Sequence, residues 1–222
     1  MFPFVIHAQV THSVGIGSFA NYSKPVNLDE TLDTLAGINQ EVKGRVNFSP
    51  YVEYTLGINR LNVSAGVGYW QNSNDASYEL SAGFFTINVE SKTKDRGVFF
   101  PLAVGYDVVR SNNLNLGVKA RVNFRYLTSV SVEASTPIGS LSSTVSGSDL
   151  DTLDLTRFFV SPGAGFYAGY DIGRFSPALE IGALYDLQGA TEAQSDKNKY
   201  LNLYAALSVR FRFCGSREDA AR

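Results

Sequence analysis

Charges in this chain keep to one side of an alternating pattern, and that restricts the fold more than any other feature. From Leu114 to Tyr126, the residues Leu114, Leu116, Val118, Ala120, Val122, Phe124 and Tyr126 alternate with Asn115, Gly117, Lys119, Arg121, Asn123 and Arg125. A repeat of two puts successive side chains on opposite faces of a β-strand, here one apolar and one polar. The stretch Lys199–Phe213, KYLNLYAALSVRFRF, repeats the arrangement. Leu201, Leu203, Ala205, Leu207, Val209, Phe211 and Phe213 share one parity, and Asn202, Tyr204, Ser208, Arg210 and Arg212 the other.

Six more segments alternate in the same way. Val10–Tyr22 sets Val14 and Ile16 against Ser13, Gly15 and Gly17. Lys43–Leu56 sets Val46, Phe48, Val52, Tyr54 and Leu56 against Arg45, Asn47, Ser49, Tyr51 and Glu53. Leu61–Tyr69, Val98–Val109, Arg157–Tyr170 and Phe175–Leu187 complete the set of eight, the last with Glu180 and Asp186 on its polar face. Pro101 has no N–H to give, so a bulge or an unpaired position is expected there. The connections alternate in length. GINR (57–60), RSNN (110–113) and DIGR (171–174) are tight-turn sequences, whereas 23–42, 71–97, 127–156 and 188–198 are long, polar loops. The piece LDETLDTL in the first loop can form a short helical turn. The centre of 71–97 has strand character, as part of a β-rich loop, as extensions of its neighbours or as an extra hairpin, and 127–156 can be strand-like at its base. Together these features predict an all-β, eight-stranded antiparallel up-and-down transmembrane β-barrel, with short periplasmic turns and long extracellular loops.

The charges set the sidedness. A cation facing lipid at the midplane costs about 2–4 kcal/mol. On this parity Arg45, Lys119, Arg121, Arg125, Arg210 and Arg212 face inward, with Glu53, Glu180 and Asp186. A soluble ligand-binding barrel would show the reverse. Tyr22, Tyr54, Tyr69, Tyr106, Tyr126, Tyr170, Tyr185 and Phe213 fall near strand ends on the apolar face, as two aromatic girdles require. Eight strands leave room inside only for side chains, so the inward charges must pair with one another. Glu180 and Arg210, on neighbouring strands, are expected to pair. The mean hydropathy of −0.06 does not oppose this reading, because a half-apolar strand averages to neutral.

A net charge of −2 gives no reason to expect a nucleic-acid partner. The single cysteine, Cys214, excludes an internal disulfide and a multi-cysteine metal site. No apolar run reaches the roughly 18 residues of a transmembrane helix. Residues 1–9, MFPFVIHAQ, read as the remnant of a signal peptide or as an ordinary strand start. Residues 10–213 form the barrel and 214–222 a C-terminal tail.

The pieces FSPYVEYTLGINRLNVSAGVGYW, VFFPLAVGYDV, LNLGVKARVNFRY and LNLYAALSVRFRF resemble the porin-like outer-membrane β-barrel domains of Gram-negative bacteria, the eight-stranded PorT-like and OmpA-like barrels among them. The resemblance runs from about Val10 to Phe213. It implies residence in the outer membrane among its lipids. It also implies insertion by the barrel-assembly machinery, which in such proteins reads a final strand ending in aromatics, here Phe211 and Phe213. The chain departs from that pattern by continuing through CGSREDAAR.

Catalytic and cofactor motifs are thin. Gly15–Ala20 and Gly163–Ala168 fit G-x-G-x-x-A, but no helix follows either, as a dinucleotide site would require. The histidines are His7 and His12. Ser13 adjoins His12, yet adjacent strand residues point to opposite faces and cannot form a dyad. The loop acids Asp29, Glu30, Asp33, Asp149, Asp151 and Asp154 can hold a cation or a partner, or simply be solvated. The expectation is a non-enzymatic barrel without cofactor or metal. Its inward charges plug the lumen, and its role is structural or carried by the loops toward an envelope or extracellular partner. The alternatives are a narrow pore for small solutes and a lipid-modifying enzyme.

Overall fold

The computed structural model describes residues 10–25, 38–82, 85–111, 113–136, 139–146, 156–188 and 200–214. Ten strands run through them: β1 (Val10–Pro25), β2 (Ile38–Gly44), β3 (Val46–Ile58), β4 (Leu61–Ala82), β5 (Phe85–Arg110), β6 (Leu114–Thr136), β7 (Gly139–Ser146), β8 (Phe158–Tyr170), β9 (Phe175–Tyr185) and β10 (Tyr200–Cys214). Eight close a ring in the order β1–β3–β4–β5–β6–β8–β9–β10, with β10 returning to β1. All pairings are antiparallel. The two extra strands lie on the ring's extensions, β2 against β4 and β7 against β6.

The ring is staggered. One row of paired inward residues runs Arg125, Phe99, Gly68, Tyr51, Gly17, Ser208, Ala178, Gly169, Asn115. It starts and ends on β6, displaced by ten residues (Arg125 to Asn115). Such a stagger tilts every strand, and a tilted eight-strand wall encloses a side-chain-filled interior.

The wall is apolar outside and polar inside. Phe166 and Leu207 are 68% and 65% exposed, while Arg121 and Glu180 are 2% and 4% exposed. In water this would be inverted; against lipid it satisfies both faces. Tyr22, Tyr69, Tyr126 and Tyr185 ring the end of the long connections, and Tyr54, Tyr106, Tyr170 and Phe213 the end of the tight turns. At the turns, Asn59 and Gly173 take left-handed φ values of +56° and +60°, which Asn and Gly tolerate best. At Pro101 the β4–β5 register passes from Ala65↔Leu102 to Gly68↔Phe99 without a pair for the proline, while Pro101↔Asn123 holds on the β6 side. The missing N–H thus leaves an unpaired position on one edge. A separate register shift near Val108 leaves Val108 and Val109 both on the lipid side.

Segment 71–97 extends its neighbours: β4 and β5 pair continuously from Trp70↔Gly97 to Ala82↔Phe85. The loop 23–42 carries more strand than expected, and 127–156 is strand-like at its base and beyond it. Ile38–Gly44 pairs with β4, β6 continues to Thr136, and β7 adds to it. Above the membrane the backbone still needs hydrogen-bond partners, and adjacent extensions supply them. The result, among the described residues, is a five-stranded ridge, β2–β4–β5–β6–β7, on one side of the barrel. The proposed helical turn, the loop acids, His7, residues 1–9 and most of the tail lie outside the described residues.

Candidate functional site

The lumen is layered. At mid-height the Glu180 carboxylate of β9 receives Lys119 Nζ at 2.6 Å and Arg121 at 2.8 and 3.2 Å, both from β6. Tyr204 of β10 donates to the same carboxylate at 2.7 Å. The stagger explains the match. Registered pairing leads from Glu180 through Tyr167 to Gly117, and the tilt raises the level position on β6 to between Lys119 and Arg121, two and four residues further on. Both side chains cross β8 where their partners are Gly165 and Gly163. A Cβ on Gly165 would come within 2.8 Å of the Tyr204 hydroxyl. The expected Glu180–Arg210 pair does not form. Glu180 faces Ala206 and Arg210 faces Ser176, with the Ala178–Ser208 layer between them. Depth counted along each strand ignores the stagger, and that misplaced the pair.

Aromatic rings complete this layer. Phe19 lies 4.6 Å from Tyr51, 5.5 Å from Tyr204 and 5.7 Å from Phe99, and the Arg121 guanidinium sits 4.7 Å over its ring. Gly17 leaves the space Tyr51 occupies, since a Cβ there would stand 2.8 Å from the ring. The layer is a septum across the lumen.

On the extracellular side Arg125 pairs with Asp186 at 2.5 Å and lies between Trp70 and Phe159, at 5.2 and 5.3 Å. Asp186 also accepts from Ser161 at 2.7 Å and Asn202 at 3.0 Å. A cavity of about 40 Å³ lies between this group and the septum. On the periplasmic side Asp171, in the β8–β9 turn, pairs with Arg212 at 3.1 Å and accepts from Asn115 and Ser176. Burial pushes the Asp171 carboxyl up, but the Ser176 hydroxyl and the Arg212 guanidinium outweigh it and hold it below the usual carboxylate range. Tyr167 donates to Asp107, and Asn62 donates to both. A second cavity, of about 50 Å³, opens here beside Arg210 and Arg212.

Of the residues assigned to a lumen network, Glu53, Lys119, Arg121, Glu180 and Asp186 are buried, and Arg125, Arg210 and Arg212 are part-buried. Glu53 and Arg210 flank Gly15 on β3 and β10, and their Oε2 and Nε atoms have no hydrogen-bond partner among the described residues. Arg45 is a correction. It sits exposed at the break between β2 and β3 and pairs with Asp75 on the ridge. Its parity is inward, but it lies above the level where the ring encloses a lumen. Phe211 and Phe213 face lipid, against Phe175 at 5.4 Å and His12 at 6.1 Å. His12 also meets Tyr54 at the periplasmic rim, on the face opposite Ser13. The sequence reading missed Asp107, Asp171 and Tyr167. Asp107 carries a readable signal, a charge opposite in parity to Tyr106.

The family profile of the autotransporter beta-domain matches residues 31–208. No curated protein sequence matches the chain. Among solved structures, Neisserial surface protein A is 15% identical, covering 91% of this chain and 97% of its own, with a TM-score of 0.46. Ail, the attachment invasion locus protein of Yersinia pestis, is 11% identical over 91% and 98%, with a TM-score of 0.41. The outer membrane protease OmpT of Escherichia coli is 10% identical over 96% and 99%, with a TM-score of 0.43. With a profile match over most of its length and a closed, lipid-facing ring of eight strands, the chain belongs to the autotransporter beta-domain family and is a β-barrel of the Gram-negative outer membrane.

Proposed function

We propose that this barrel is a closed membrane scaffold whose job is to hold the extracellular ridge for interaction with an envelope or external partner. The septum carries the reading: Arg121, Lys119, Glu180 and Tyr204, packed with Phe19, Tyr51 and Phe99, fill the lumen between two small cavities. A translocation channel, which the family name suggests, needs that space open. The ridge is the one part of the described barrel that rises far beyond the bilayer, and it does so on one side. A non-catalytic role is supported by His12, which faces lipid while Ser13 faces inward.

Recording from the purified protein in planar bilayers should show no steady conductance. Discrete, lasting current steps would replace the scaffold with a solute pore. Attachment of expressing cells to a surface, compared with cells in which Asn72 and Asp95 are joined by a tight turn, tests the ridge. These two residues pair directly, so the shortened hairpin keeps the barrel register. Insertion is assigned to the barrel-assembly machinery acting on Phe211 and Phe213, and F213A should lower the amount of protein reaching the outer membrane.

A further inference from the structure

We propose that the outer wall seats one phosphate-bearing lipid of the external leaflet, its acyl chain in a groove across β5–β4–β3–β1–β10 and its phosphate on Arg96. The groove, of about 810 Å³, runs from Val98 and Tyr69 through Pro50 and Ser18 to Leu207 and Val209. Ser18 and Pro50 pair across β1 and β3, and their short side chains make its floor. Among the described residues, no charged side chain lines it. Rows of paired residues descend from β5 to β10, and the groove follows them. Four strand spacings of about 4.8 Å give it a length of about 19 Å. A furrow of that length holds one extended chain by many small contacts, which a smooth wall does not. Its upper end lies at the extracellular girdle, where Val98 pairs with Tyr69 and Tyr126.

The charge above that end selects the headgroup. Arg96 is the next residue after Val98 on the outward face of β5, and it is exposed. Its registered neighbours, Gln71 and Ser129, carry no charge. Its guanidinium has no hydrogen-bond or ion-pair partner among the described residues. Asp95, adjacent in the chain, faces the other way, opposite the buried Asn72. The cations higher on the same face are matched within the wall. Lys94 pairs with Glu133 at 3.2 Å, and Lys92 stands in register between Asp75 and Glu133. The anion for Arg96 therefore comes from outside the chain, and at the height just above the girdle the membrane offers lipid phosphate. A guanidinium takes a phosphate through two parallel hydrogen bonds, and a basic residue at headgroup level favours an anionic lipid. The seat does not depend on the ridge meeting a partner, because it lies on the outer face of the wall.

The full-length protein, refolded in detergent micelles, is mixed with phosphatidic acid or with diacylglycerol carrying the same chains, and bound lipid is read by native mass spectrometry. The two lipids differ only in the phosphate. Phosphatidic acid should be retained about fivefold better, the preference expected for one cation at an anionic lipid, and R96Q should abolish that preference. K94Q, whose charge is matched by Glu133, should leave it in place. S18F, which fills the groove floor, should weaken retention of both lipids. Excess inorganic phosphate should not displace the bound lipid. Equal retention of the two lipids, a preference that survives R96Q, retention unchanged in S18F, or displacement by inorganic phosphate overturns the proposal. R96Q alters an exposed position, so it still decides the matter should S18F fail to show heat-modifiable mobility.

Discussion

The lumen and the extracellular ridge are made of the same strands, since β4, β5 and β6 run through both, yet their charges behave differently. Inside, the Arg121 side chain is fully buried and takes part in a four-residue group around Glu180. On the ridge, Lys94 and Glu133 pair across β5 and β6 at 3.2 Å with side chains 32% and 46% exposed. The alternation is the same in both places. What differs is what the other face of the wall meets. Where lipid lies outside, a charge can only go inward, and the inner charges must then satisfy one another. Where water lies on both faces, a charge can stand anywhere and its partner adds little.

The contrast is best broken by removing single partners. E180A should cost the most, about 3–5 kcal/mol in denaturant unfolding from micelles, because it leaves Lys119 and Arg121 buried without their carboxylate. The triple variant K119M/R121M/E180L should recover most of that loss. If E180A costs no more than a ridge pair, the septum is not the closed layer described above. Next comes D186N, expected to lose about 2 kcal/mol with the charge that holds Arg125, Ser161 and Asn202.

A smaller and pH-dependent effect is expected at Asp171, where the lumen meets periplasmic water. Its folded carboxyl titrates below the usual range, so its stabilisation is present above the unfolded pKa and lost as pH falls through the folded one. D171N should therefore be less stable than the parent by about 1 kcal/mol at neutral pH, with the gap closing in acid. A gap that widens as pH falls would reverse the assignment. Smallest is the ridge: K94A and E133A should each change stability by less than about 1 kcal/mol, and salt should reduce the effect further.

The failed Glu180–Arg210 pairing and the correct facing of both residues come from different kinds of information. Facing is local. Glu180 lies between Leu179 and Ile181, and Arg210 between Val209 and Phe211, so each side chain's direction follows from its two neighbours. Pairing is collective, because it depends on how far each strand slides past the next before the ring closes. Arg45 shows the same limit in another form. Its parity is right, but the height at which the wall stops enclosing a lumen is set by the strands around it. Asn123 has inward parity, yet nothing in its neighbours announces that it shares a cavity with Asn21 and Trp70.

The sequence by itself determined the eight membrane-crossing strands, the apolar outer face and the inward charges, because a two-residue period and the cost of a charge in lipid act residue by residue. Only the tertiary structure decided the stagger of ten, the choice of Lys119 and Arg121 as partners of Glu180, and the one-sided ridge built from β2, β4, β5, β6 and β7. The physical reason is closure. A sheet that must meet its own first edge fixes all its registers together, and no single strand carries that condition.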